Sequence, residues 1–348
     1  MRVMVRLILL LLLCIISTVP LVCAGPFVYN LDVAHGLPSN HIYGLLVDRN
    51  GYLWITTPEG VVRYNGYGLK VFNTSDGLPT SDIWEIFEDS KGRLWLMNFS
   101  QSLGYIANDR YTPAVIRDPS ARILPRPHTI SNYNGGVFIV SASGQTVYGY
   151  ELLVEHNDTF HIYNPDFNGM LIGRSMHKGN LALKILAEEN DSIRSMKFME
   201  VEFLPGAVRI ITHKLPLRYN LHFLFNENIL LFSYYEGKML LAYDTKKRSF
   251  KKILLDRPAS NVKFIPGSRS VLYLLADGVF YKFDDTLGLR DKWDAESRSF
   301  PPVSLSWIIE DPLWGTCMGV TGRGVYIPVG EDRGWQPVKI DVAEHHSI

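Results

Sequence analysis

Glu88-Asp89 and Glu310-Asp311 set carboxylates side by side, the residue type that general acid–base cleavage of a glycosidic bond requires. Neighbours on a strand point to opposite faces, so neither pair can address one bond. Asp48, Asp89 and Asp311 are instead expected to form turns. The ten histidines are scattered. His35 and His41 flank Gly36-Leu37-Pro38, and His345-His346 lie in a polar tail, where solvated chain outweighs a metal site. Cys317 stands in an apolar-rich stretch that predicts burial rather than a nucleophile. There is no Gly-rich phosphate loop and no Gly-x-Ser-x-Gly elbow. No catalytic residue, metal or cofactor is therefore expected. The binding candidates are Asn40 and His41, which follow the first Gly-Leu-Pro, and Ser81, Asp82 and Trp84, which follow a second at Gly77-Leu78-Pro79.

The elements that would position these residues come from an internal repeat. Residues 36–64 read GLPSNHIYGLLVDRNGYLWITTPEGVVRY, and residues 77–105 read GLPTSDIWEIFEDSKGRLWLMNFSQSLGY. Gly36, Leu37, Pro38, Ile42, Asp48, Gly51, Leu53, Trp54 and Tyr64 each recur 41 positions later. In the first unit the apolar run 42–47, the turn at Asp48 to Gly51, the alternating run 52–57, and the runs 61–64 and 69–73 predict four short antiparallel strands. Four strands in about 41 residues is the size of one propeller blade.

Strand-like texture continues, with runs at 136–150 (around Ser143-Gly144), 180–186 and 196–203, two runs within 221–243 split at Glu236-Gly237-Lys238, and a pair around Asp277-Gly278. The motif partly returns at Trp307 to Asp311, Leu313-Trp314 and Gly324-Val325-Tyr326, with a shortened turn. The predicted fold is all-β: a β-propeller of seven four-stranded blades, beginning near Ile42, Ile83, Ile130, Met170, Leu221, Val262 and Leu305 and averaging about 46 residues. Trp54, Trp95 and Trp314 are expected on second strands, filling the wedge between blades. Two segments compete to complete the last blade, 27–32 and 335–340. The Gly-Leu-Pro segments join an outer strand to the next inner strand, which puts the five binding candidates at one mouth of the axis.

The N-terminus reads as an export signal. Arg2 and Arg6 precede an apolar stretch over residues 7–22, and Val22-Cys23-Ala24 suits cleavage after Ala24. The expected organisation is a signal at 1–24, a propeller at 25–340 and a polar tail at 341–348, located in the periplasm or secreted. Cys14 and Cys23 leave with the signal, so the mature chain has only Cys317 and no intramolecular disulfide. Lys+Arg and Asp+Glu stand at 35 each, which gives no nucleic-acid surface. No mature segment is apolar for long enough to span a bilayer.

Gly-Leu-Pro-x-x-x-Ile, Asp-x-x-Gly-x-Leu-Trp and Gly-Val-Val-Arg-Tyr resemble the two-component regulator propeller repeat, which forms the periplasmic sensor part of bacterial hybrid sensor kinases. The first unit matches throughout. The second has Met97-Asn98-Phe99-Ser100 where the repeat usually has Thr-x-x-Gly. The resemblance implies a non-catalytic, extracytoplasmic propeller for ligand sensing or protein interaction, either stand-alone or a fragment of a two-component sensor. The implied partner is a ligand of unknown identity (a glycan is one class) or a membrane sensor protein. Two other readings are a propeller enzyme of the polysaccharide lyase or glycosidase kind, and a structural module of a cell-surface complex.

Overall fold

The computed structural model describes residues 27–100, 102–118 and, between 125 and 329, the strands and several of the turns joining them. The export signal at 1–24, the segment 335–340, the tail at 341–348 with His345 and His346, and the turns at Ser143-Gly144, Glu236-Gly237-Lys238 and Asp277-Gly278 lie outside these residues.

The chain is a β-propeller whose elements, among the described residues, are all strands apart from two 3-10 turns. The first strand, β1 (Phe27–Leu31), is followed by β2 (Gly44–Val47), β3 (Leu53–Thr57), β4 (Gly60–Tyr64) and β5 (Leu69–Phe72), then by β6 (Glu85–Glu88), β7 (Leu94–Met97), β8 (Gly104–Ala107) and β9 (Arg110–Pro113). Next come β10 (Val115–Ile116), β11 (Pro125–Tyr133), β12 (Gly136–Ala142), β13 (Tyr150–His156) and β14 (Thr159–Tyr163). The middle of the chain holds β15 to β18 (Met170–His177, Asn180–Glu188, Met196–Leu204, Ala207–Leu215), β19 to β22 (His222–Asn226, Ile229–Ser233, Met239–Asp244, Ser249–Leu254) and β23 to β26 (Val262–Pro266, Val271–Ala276, Val279–Asp284, Leu289–Asp294). The last strands are β27 (Leu305–Asp311), β28 (Gly315–Val320) and β29 (Gly324–Val329).

Among the described residues these strands form seven sheets, six of them four-stranded. The leading strands of successive sheets lie side by side: β23 against β27, β27 against β2, β2 against β6 and β6 against β11. The N-terminal segment completes the last sheet. β1 pairs antiparallel with β29, from Phe27 opposite Val329 to Leu31 opposite Val325. A strand from one end of the chain thus locks the sheet made by the other and covers what would be an open edge.

Three expectations are corrected. The third sheet has five strands, because β10 adds to β14 in parallel. Residues 221–243 hold three strands rather than two runs, since the polar Asn226-Glu227-Asn228 divides the apolar stretch into β19 and β20. Trp314 sits in the turn before β28, not on it. It follows Asp311 by three residues where Trp54 follows Asp48 by six, so it cannot reach its own turn carboxylate. Its Nε1 donates instead to Gly51 O in the neighbouring sheet, at 2.8 Å.

Burial follows position in the sheet. Every residue of β3 and of β7 is buried, because these strands are covered on both faces by adjacent sheets. The outer β5 exposes Lys70 and half-exposes its neighbours. Trp54 packs with Ile83, Ile86 and Leu94 of the next sheet, and Trp95 with Ile130, Ile139 and Phe160 of the one after. Trp314 packs with Leu53, Ile55 and Tyr64. The tryptophans thus fill the inter-sheet wedges.

Each repeat carries a carboxylate that holds both the turn and the wedge. Asp48 Oδ1 accepts from the Asn50 and Tyr52 amides at 2.9 and 3.0 Å, and its Oδ2 accepts from Trp54 Nε1 at 2.8 Å. Asp89 repeats this with the Lys91 and Arg93 amides, both at 2.9 Å, and with Trp95 Nε1 at 2.9 Å. Gly51 and Gly92 close these turns at φ 84° and 82°, where a Cβ would strain the backbone. Asp89 also accepts from Arg93 Nε at 2.6 Å, and Arg93 continues to Glu155 of the third sheet at 2.6 Å. Burial alone would raise the Asp89 carboxyl. Hydrogen bonds from the Trp95 indole and from the Arg93 amide and guanidinium outweigh burial and hold it below the usual carboxylate range.

Two tests follow from this wedge. Trp54→Phe keeps the buried ring but leaves Asp48 without its indole donor; it should cost about 1.5–3 kcal/mol. Trp54→Ala also opens a cavity and should cost about 3–5 kcal/mol. Urea unfolding should order wild type, Phe and Ala in that sequence. The depressed Asp89 pKa means that its contribution to stability is complete above the ordinary Asp value of 3.8 and fades as pH falls through the lower folded value. Unfolding midpoints measured from pH 5 down to pH 2 should therefore fall less steeply for Asp89→Asn than for the wild type, from a lower starting stability.

Candidate functional site

The two Gly-Leu-Pro segments run from an outer strand, β1 or β5, to the next inner strand, β2 or β6. Each begins with a 3-10 turn, Val33–His35 or Thr74–Asp76, capped by Asp32 or Asn73. Asn40 and Ser81 hold these turns from behind. Asn40 Oδ1 accepts from the Val33 amide at 2.9 Å, and Ser81 Oγ accepts from the Thr74 amide at 3.4 Å. The carbonyl of Asn40 also takes the amides of Gly322 and Gly324. These two candidates are committed to loop geometry.

The other three converge. Tyr43 and Trp84, 41 residues apart, each precede an inner strand by one residue and extend its ladder, through Tyr43 N to Thr56 O and Trp84 N to Met97 O, both at 2.9 Å. Their rings stack across the two sheets, with centroids 4.4 Å apart and planes 9° apart. His41 meets Tyr43 edge-on at 5.2 Å, and Phe99 meets Trp84 at 4.9 Å and 86°. The result is an aromatic file, His41–Tyr43–Trp84–Phe99, spanning two adjacent sheets at the end where the chain enters the inner strands. Trp84 is 36% exposed and Phe99 54%.

Asp82 anchors the file. Its Oδ2 accepts from Trp84 Nε1 at 3.2 Å. Its Oδ1 is shut off from solvent and has no hydrogen-bond partner among the described residues. Burial raises the Tyr43 phenol, and the Asp82 charge, a hydrogen bond to Asp82 and the more distant Glu59 raise it further.

Sequence reasoning missed Tyr43 and Phe99. The repeat offset that matches Trp84 to Tyr43 could have found the first. Phe99 falls where the second unit departs from the repeat: Asn98 takes the place of Thr57, and its Oδ1 shapes the turn by accepting from the Ser100 amide and hydroxyl.

The remaining chemistry-bearing residues are engaged elsewhere. Glu88 reaches back to Arg49 of the preceding sheet at 2.6 Å, while Asp89 serves its own turn. Glu310 accepts from Tyr273 and Lys282 of the preceding sheet, and Asp311 Oδ1 accepts from the Leu313 and Trp314 amides. Cys317 is fully buried, and burial pushes its thiol up to about 12. His35 bonds Asp32 at 2.8 Å. Among the described residues no group of three or more His, Cys, Asp or Glu side chains could hold a metal ion, and no helix is long and apolar enough to cross a membrane.

Residues 36–59 and 77–99 match the family described as Two component regulator propeller. A comparison with curated proteins finds no match. Among solved structures, the chain is similar to the extracellular domain of the hybrid two component system BT4673 from B. thetaiotaomicron, with a TM-score of 0.59 and 13% identity over 90% of this chain and 44% of that one. It is also similar to the extracellular domain of BT3049 from the same organism, with a TM-score of 0.58 and 13% identity over 87% of this chain and 42% of that one. PorZ, a surface component of the type-IX secretion system of Porphyromonas gingivalis, aligns with a TM-score of 0.57 and 10% identity over 87% of this chain and 38% of that one. The chain thus spans less than half the length of each, and at these identities the likeness establishes the fold.

The geometry separates loop-formers from the exposed rings. Asn40→Ala removes the cap on the Val33 amide and should lower stability by about 0.5–2 kcal/mol. Phe99→Ala, at an exposed position, should stay within about 0.5 kcal/mol of wild type. Parallel thermal and urea melts would measure both.

Proposed function

We propose that this chain is an extracytoplasmic, non-catalytic propeller that recognises a ligand or a partner protein through the aromatic file at the mouth of its inner strands. One observation carries the reading: Trp84 and Phe99 are held by stacking and by Asp82, yet remain exposed, at the end of the fold where loops of adjacent sheets meet. Large apolar rings fixed at a surface favour contact with another molecule. His41, Asp82 and Trp84 belong to this face. Asn40 and Ser81 support it from the loops beneath.

The location rests on the basic and apolar N-terminus. Cleavage near Ala24 would release a chain whose first strand starts at Phe27, placing the mature protein in the periplasm or outside the cell. The extracellular domains that share the fold agree with this. A non-catalytic role is favoured because the candidate nucleophile Cys317 is buried and the carboxylates Asp89, Glu88 and Glu310 are bound in turns and inter-sheet contacts. The partner is a small ligand, with glycans as the first class to test, or a membrane sensor protein.

The test is calorimetric titration of the mature chain, starting at Gly25, with a panel of neutral oligosaccharides and with candidate sensor ectodomains encoded beside it. Saturable binding by at least one, abolished in Trp84→Ala and retained in Tyr67→Ala at a distant exposed ring, is the expected outcome. Binding that Trp84→Ala leaves intact would place recognition elsewhere.

A further inference from the structure

The chain is neutral as a whole, but its charge is not spread evenly. From Asp244 to Leu254 the sequence DTKKRSFKKIL sets five cations, Lys246, Lys247, Arg248, Lys251 and Lys252, against one acid. The stretch ends as β22, the outermost strand of the fifth sheet, paired on one side only, with β21. Alternation gives this strand two faces. Ile253 is buried with Leu272 and Leu274 of the sixth sheet, and Lys251 on the same face donates to Thr286 O and Leu287 O there, at 2.9 and 3.2 Å. The turn it reaches carries Asp284, bound by Arg290 at 2.7 Å, and the exposed Asp285. Phe250, Lys252 and Leu254 share the other face. The Phe250 ring packs on Tyr243 at 4.8 Å and remains 38% exposed, and Leu254 is 75% exposed. Lys252 lies exposed between them, with no hydrogen bond or ion pair among the described residues. Lys247, in the turn before the strand, is exposed, with Asp244 3.5 Å away.

Lysines on an outer strand have a plain structural use: they keep it from pairing with the edge of another sheet. That use accounts for Lys252 but not for Phe250 and Leu254, because exposed apolar side chains invite association. On β5, the corresponding strand of the first sheet, Lys70 is bound by Asp109 at 2.7 Å and Phe72 is buried. On β22 a cation and two apolar side chains are turned outward together. The cations draw this face toward negative charge, and the apolar side chains gain by leaving water. Anionic headgroups over a hydrocarbon layer offer both. An acidic polysaccharide would match the lysines but give Leu254 nothing to bury against.

We infer that the face of β22 formed by Phe250, Lys252 and Leu254, with Lys247 beside it, docks on the surface of an anionic lipid bilayer. The ammonium groups stay among the headgroups, and Phe250 and Leu254 enter the boundary beneath them. The contact is peripheral. It does not rest on the aromatic file, which belongs to the first and second sheets and takes no part in it.

The mature chain would be sedimented with vesicles of phosphatidylcholine containing one third phosphatidylglycerol, and with vesicles of phosphatidylcholine alone. Partition onto the anionic vesicles should be stronger by about tenfold or more at low salt and should fall severalfold as salt is raised. The double variant Lys247→Gln, Lys252→Gln and the single variant Leu254→Ser should each weaken it by about fivefold. All three side chains are exposed, so both variants should melt in urea as the wild type does. Trp84→Ala should leave partition unchanged. Equal partition onto the two kinds of vesicle, no loss in Leu254→Ser, or loss in Trp84→Ala would each overturn the inference. Heparin bound through Lys247 and Lys252 while the vesicles are not would overturn it in favour of an acidic polysaccharide. None of these vesicle results bears on binding of oligosaccharides or sensor ectodomains through Trp84, so the two readings stand or fall separately.

Discussion

The structure depends on a carboxylate that does two things at once. Asp48 and Asp89 each fold a tight turn with one oxygen and hold an inter-sheet tryptophan with the other. The first bond sets where β3 or β7 begins. The second fixes the ring that fills the gap to the next sheet. A sheet of four short strands cannot cover its own two faces, so each sheet is stable only against its neighbours. Coupling the turn to the wedge makes the geometry within one sheet specify the spacing to the next.

The last sheet shows what happens when that coupling is altered. The turn after Asp311 is shorter, and Asp311 still takes two amides. Trp314 then lies too close in sequence to reach the carboxylate and bonds Gly51 O across the sheet boundary instead. The wedge is filled, but by a contact between sheets 263 residues apart in sequence rather than within one repeat. The N-terminal β1 strengthens the same boundary by pairing with β29. Chain ends, a shortened turn and a long-range indole bond therefore meet where the ring joins its first and last sheets.

The two ends of the fold have different characters. At the end bearing the Asp48 and Asp89 turns, acids and bases are interlocked between sheets, and Arg93 alone joins Asp89, Glu155 and Asp158. That network binds neighbouring sheets into one body. The opposite end carries the aromatic file and Asp82, whose second oxygen has no partner among the described residues. Rigidity at one end lets the other present fixed rings without spending them on the fold.

The sequence alone determined the strand-rich class, the blade-sized repeat, the turn-forming role of Asp48, Asp89 and Asp311 and the burial of Trp54 and Trp95. These are legible because turns, alternation and Gly, Pro and Trp positions are local and recur at a constant offset. The same offset also held the equivalence of Tyr43 and Trp84. Their stacking was not legible, because it depends on the distance and angle between two sheets, which no residue spacing encodes. Tertiary structure alone decided that Asn40 and Ser81 cap loops while Asp82 faces the rings, that β1 rather than a later segment pairs with β29, and that Phe99 joins the file. The β1–β29 pairing joins segments far apart in the chain, and the loop contacts, though close in sequence, depend on how the chain folds back between two sheets, which residue type and spacing do not encode.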